Sequence, residues 1–152
     1  MGTMWLTRRD CASLLLCLAG PARGRALSSG LLGLSGFDPV SYFLPQGPRP
    51  GLAAFEVADG GRTWRFASAA NRAAFQRDPA VYAPRLGGYD PVGILDGRLV
   101  EADPLVFAVI DERLYLFRNA GRRDRVVAEP GLAAQAEASW PALRRLTDEG
   151  RE

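Results

Sequence analysis

Asp38 and Asp90 are the residues best placed by type and spacing to do chemistry, each lying in a Gly-aromatic-Asp-Pro-Val motif, Gly36-Phe37-Asp38-Pro39-Val40 and Gly88-Tyr89-Asp90-Pro91-Val92. A duplication can bring equivalent carboxylates together across a pseudo-twofold, where a shared proton raises one pKa and supplies an acid beside a base. That reading makes the chain a carboxylate-dependent hydrolase or lyase. The competing reading is an Asp-Pro turn in which each carboxylate caps neighbouring N–H groups. Tyr42, Trp64, Tyr89 and Tyr115 could line a pocket for a flat or amphipathic ligand, or fill a core at strand spacing. Asn71 falls on the inner side of a helix, where its amide either meets a ligand or hydrogen-bonds a loop carbonyl. Arg122-Arg123-Asp124-Arg125 is an anion site or a solvated helix face. There is no glycine-rich phosphate loop and no Gly-x-Ser-x-Gly nucleophile elbow.

The elements that must position these residues centre on 62–83. Thr63, Trp64 and Phe66 are strand formers with Trp64 and Phe66 on one face of the pleat. Ser68 is an N-cap, Ala69 to Gln76 favours helix, and Asp78-Pro79 closes it. Before this unit, 36–43 reads as a turn leading into a short strand, Phe55-Glu56-Val57 as a second strand, and Asp59-Gly60-Gly61 as a hairpin turn. The same order then recurs. Phe107 to Ile110 and Leu114 to Phe117 read as strands around a turn at Asp111-Glu112. Trp64, Phe66, Ser68 and Asp78-Pro79 match Tyr115, Phe117, Asn119 and Glu129-Pro130 at an offset of 51. The Gly-aromatic-Asp-Pro-Val motifs lie at an offset of 52, one residue out of step. Two copies of a ββα unit follow, 36–86 and a degenerate 88–130, and superposing them should place Trp64 on Tyr115, Phe66 on Phe117 and Phe75 on Val126. A last helix spans 131–146, with Pro141 expected to interrupt it, and 147–152 is a charged tail.

Composition narrows the function classes. The 152 residues, 47% apolar, suit one domain with a genuine core. All 19 basic residues are arginine, and the absence of histidine removes the usual general base and the commonest metal ligand. Arg8-Arg9, the apolar run from Ala12 to Ala19 and the small residues at Gly24 and Ala26 read as an export signal over 1–26, followed by a linker over 27–35. Eight apolar residues cannot cross a bilayer core of about 30 Å, so no membrane span is expected after cleavage. Removing four arginines and one aspartate turns the net charge of +2 into −1. That argues against a nucleic-acid partner. Both cysteines, Cys11 and Cys17, leave with the signal, so the mature chain forms neither a disulfide nor a thiolate site.

The residues also resemble a known family. Asp38-Pro39-Val40, the run from Gly61 to Phe75 and Asp78-Pro79-Ala80-Val81-Tyr82 are similar to the YHS domain. Arg85-Leu86-Gly87-Gly88-Tyr89 and Ala138-Ser139-Trp140-Pro141-Ala142-Leu143 resemble its exported bacterial branch. The likeness covers most of 36–143. It implies a metal role built on one cysteine after Asp-Pro-Val and two flanking the helix start. Those positions are Ser41, Ala67 and Asn71 here, and Gly93, Arg118 and Arg122 in the second copy. With every soft ligand replaced, neither a metal site nor a cofactor is expected.

The expectation is therefore an α+β fold, two tandem YHS-like ββα units packed as one domain over 36–146 with a C-terminal helix. The leading function is an exported, periplasmic or secreted, non-catalytic module that binds a small molecule or a protein partner. Asp38, Tyr42, Trp64, Asn71, Tyr89, Asp90 and Tyr115 are its candidate ligand-binding residues.

Overall fold

The computed structural model describes residues 31–149; the expected export signal over 1–26, residues 27–30 and the end of the tail lie outside the described residues. The fold is mixed α+β, with ββα elements that repeat. In the first unit β2 (Leu52–Asp59) pairs antiparallel with β3 (Arg62–Phe66), and α1 (Ala69–Arg77) follows with Ser68 Oγ accepting from Asn71 N. In the second, β4 (Asp103–Ile110) pairs with β5 (Arg113–Phe117), and α4 (Ala120–Ala128) is capped by Asn119 in the same way. Even the irregularity recurs, since register shifts between Leu52 and Glu56 and again between Asp103 and Phe107. Trp64 and Tyr115, Phe66 and Phe117, and Phe75 and Val126 hold equivalent positions, all buried.

Ahead of each hairpin lies a second repeated piece. Gly33–Gly36 and Arg85–Gly88 are tight left-handed turns, with φ of 52° at Leu34 and Ser35 and 56° at Leu86. Left-handed backbone costs a non-glycine residue roughly 1–2 kcal/mol, and burial of Leu34 and Leu86 in the two cores offsets it. Each turn runs into an Asp-Pro start. Pro39–Phe43, expected to become a strand, is instead a 3-10 helix: Pro39 presets φ at its first position and Asp38 caps it. Pro91–Leu95 (α3) is its counterpart, capped by Asp90. The one-residue slip between 52 and 51 arises in the loops that follow. Asp38 N donates to Arg49 O and Asp90 N to Val100 O, so the first loop is one residue longer inwards of that bond.

Residues 31–35, expected as linker, belong to the fold. Leu31–Leu32 (β1) pairs parallel with β3, and Gly33 lies under Trp64, where a Cβ would fall 2.5 Å from the indole. Asp78-Pro79 ends α1 as expected, and Pro79 then opens the short helix α2 (Pro79–Tyr82). The C-terminal helix α5 runs from Gly131 to Glu149 straight through Pro141, which was expected to interrupt it. The missing Pro141 N–H is tolerated because Leu132, Ala133, Ala136, Trp140 and Leu143 bury a continuous stripe against the second unit.

The two units pack through β5, which has a face in each core. Leu114 and Leu116, on one face of β5, join Val40, Tyr42, Trp64, Phe66 and Phe75 in the first core. Tyr115 and Phe117, on the other face, join Val92, Ile94 and Val126 in the second, closed by α5. An isologous twofold contact would use equivalent residues from both sides. Here the equivalents of Leu114 and Leu116 are Thr63 and Arg65, which lie in neither core. The apolar contact between the units is thus carried by β5 without an apolar counterpart from β3.

Candidate functional site

Asp38 and Asp90 are fully buried, and each serves its own unit. Asp38 Oδ1 accepts from Val40 N at 2.8 Å, while Oδ2 accepts from Ala67 N at 2.9 Å and from Asn71 Nδ2 at 2.6 Å. The carboxylate thus fastens the 3-10 helix to the junction between β3 and α1. Asp90 repeats the arrangement: Oδ1 takes Gly93 N at 2.9 Å and Arg122 Nη1 at 3.0 Å, and Oδ2 takes Arg118 N at 2.7 Å. The two carboxylates share no hydrogen-bond partner. Ser41 completes the first cluster, donating to Asp38 O at 2.6 Å and accepting from Arg49 N at 2.8 Å. Ala67 and Asn71 therefore meet at the Asp38 carboxylate, and Ser41 at the Asp38 backbone carbonyl. Asn71 meets a side chain where a backbone carbonyl was expected. Among the described residues no group of three or more His, Cys, Asp or Glu could hold a metal ion.

The aromatic candidates separate. Tyr42 is buried edge-on to Phe107, 5.0 Å between ring centres, and its hydroxyl donates to Pro104 O at 2.9 Å. Burial, together with the charges of Asp103 and Asp38, pushes its phenol far above the usual range. Tyr115 donates to Glu137 Oε1 at 2.5 Å, and burial and that carboxylate push it up to about 12. Burial would raise Glu137, but hydrogen bonds from Arg85 and Tyr115 and the charges of Arg85 and Arg113 outweigh it and hold the carboxyl below its ordinary value. This cluster clamps α5 to β5. Arg122 is spent on Asp90, and Arg123 on its neighbour Asp124.

Trp64 and Tyr89 both line a cleft of about 270 Å³ between the two units. Both left-handed turns line it, and Leu34, Trp64 and Leu116 supply apolar wall. Two charged residues join them, Arg62 from β3 and Glu101 from the segment before β4. Arg62 Nη2 donates to Gly87 O at 3.2 Å, bridging the units. Glu101 carries no ion pair among the described residues, so these opposite charges share a cleft without neutralising each other. The sequence reading missed both. The available signal was positional: Arg62 is the counterpart of Arg113 and opens the strand that carries Trp64.

Comparison of the chain with known protein families, curated proteins and solved structures finds no match. Among the described residues no helix is long and apolar enough to cross a membrane.

Proposed function

We propose that the chain is an exported, non-catalytic binding module of the YHS type, periplasmic or secreted, whose two carboxylates serve the fold. The observation that carries this reading is the saturation of Asp38: three donors occupy its two oxygens, and two of them belong to Ala67 and Asn71. A general acid or base needs a lone pair or proton within reach of substrate. Asp38 and Asp90 are fully buried and turned toward backbone amides. The same positions that bear cysteine in the resembling family here bear Ser41, Ala67 and Asn71, whose neutral or absent donors do not suit zinc or copper. The partner is a small molecule or a protein.

The test has two arms. Purified protein is assayed for hydrolysis of ester, amide and phosphate probes beside Asp38→Asn and Asp90→Asn, and the expected result is no saturable turnover. Turnover abolished by either substitution would establish the carboxylate enzyme instead. Cell fractionation with N-terminal sequencing should find protein beginning near Leu27 outside the cytoplasm; full-length chain confined to the cytoplasm would contradict export.

A further inference from the structure

We infer that the cleft between the two units is the binding site, and that it takes a small zwitterion, a free amino acid with an apolar side chain. The inference rests on the binding-module reading and names its ligand. A volume of about 270 Å³ lies at the small end of ligand pockets, which suits a metabolite-sized ligand. The lining divides by chemistry. Arg62 has given only one of its five N–H donors, to Gly87 O, and its remaining fork matches a carboxylate. Glu101 is the anion of the same cleft and is unpaired among the described residues, so it matches an ammonium. Leu34, Trp64 and Leu116 form the apolar wall against which a side chain can lie.

Two features argue that the cleft is built. Both repeated left-handed turns lie on its rim, one through Leu34 and Ser35 and the other through Gly87 and Gly88. Its charges are also asymmetric between the units. In the second unit the counterpart of Arg62 is Arg113, and it is neutralised by Glu137 of α5 at 3.2 Å. Among the described residues the first unit is followed by no such helix, which leaves Arg62 with the Gly87 carbonyl and an open side.

The full chain is titrated with L-leucine and L-phenylalanine while the Trp64 indole N–H resonance, assigned with Trp64→Phe, is followed by NMR. A saturable shift with a dissociation constant of about 1 mM or tighter is expected. Arg62→Gln and Glu101→Gln should each weaken it at least tenfold, as should blocking one charge in N-acetyl-L-leucine or L-leucinamide. Glu101 is exposed, so Glu101→Gln reads binding without disturbing the fold. Absence of saturation by about 10 mM, or binding indifferent to both substitutions, overturns the inference. Hydrolysis of L-leucinamide would overturn the non-catalytic reading itself; no shift and no turnover would overturn the ligand assignment alone.

Discussion

Asn71 Nδ2 donates to Asp38 Oδ2 at 2.6 Å, and Arg122, its counterpart in the second unit, donates to Asp90 Oδ1 at 3.0 Å. One structural role is thus filled by a neutral amide in one copy and a guanidinium in the other. Both aspartates keep their backbone donors, so the partner side chain sets the difference between the clusters.

Removing these partners should cost unequal amounts. Asn71→Ala leaves Asp38 with two backbone donors and should cost about 1–3 kcal/mol. Arg122→Ala strands a buried carboxylate without its countercharge and should cost about 2–4 kcal/mol, moderated by the partial exposure of Arg122. Arg122→Asn should recover part of the loss. Urea unfolding midpoints decide it; an Arg122→Ala variant as stable as the parent would mean the ion pair contributes nothing.

The clamp between β5 and α5 should limit stability at both ends of the pH scale. Glu137 is depressed in the folded state, so its contribution is present above the ordinary glutamate value and is lost as pH falls through the lower folded value. Tyr115 is raised to about 12, so its contribution is whole below the ordinary tyrosine value near 10 and is lost as pH rises toward about 12. Glu137→Gln should flatten the acid limb, and Tyr115→Phe should reduce the alkaline one, where Tyr42 also contributes. Melting temperatures across pH would expose the error if Tyr115→Phe left the alkaline limb unchanged.

Leu116 tests whether the units fold together. It belongs to the second hairpin but is 4% exposed within the first core, and Leu116→Ala should cost about 2–5 kcal/mol. Because β5 presents its other face to the second core, unfolding should stay a single transition with a lower midpoint. Two separated transitions, with only one displaced, would show that the units are independent.

Thr63 Oγ1 is a buried hydroxyl without a hydrogen-bond partner among the described residues. Thr63→Val keeps the β-branched shape and removes the unpaired group, so it should stabilise the protein by about 1 kcal/mol. A loss of similar size in a denaturant titration would mean that the hydroxyl is engaged.

The repeat was legible because it is written in short-range signals: strand alternation at Trp64 and Phe66, the caps Ser68 and Asn119, and the Asp-Pro starts. Those depend on neighbours in the chain. What escaped the reading depends on residues far apart. The stretch 36–43 reads as a turn leading into a short strand, yet a carboxylate hydrogen bond within the motif makes Pro39–Phe43 a 3-10 helix. Pro141 signals a break in isolation, and the apolar stripe on either side keeps α5 whole. Duplication alone leaves open how the units pack, and the packing depends on Leu114 and Leu116 of β5, where β3 has Thr63 and Arg65. Of the candidate site residues, Trp64 and Tyr89 reach the cleft, whereas Asp38, Asn71 and Asp90 hold the units, Tyr42 the joint between them, and Tyr115 the terminal helix.

The most direct measurement of the central claim, that Asp38 and Asp90 hold the two units separately, is a double-mutant cycle. Unfolding free energies are taken for the parent, Asp38→Asn, Asp90→Asn and the double variant. Each substitution turns an amide toward backbone N–H donors, so each should destabilise by about 2–4 kcal/mol. The two losses should add within about 0.5 kcal/mol, because the carboxylates share no partner. A reacting pair would behave otherwise: replacing one member relieves the repulsion on the other. Stabilisation by either single substitution, or a coupling well above that margin, would contradict the account.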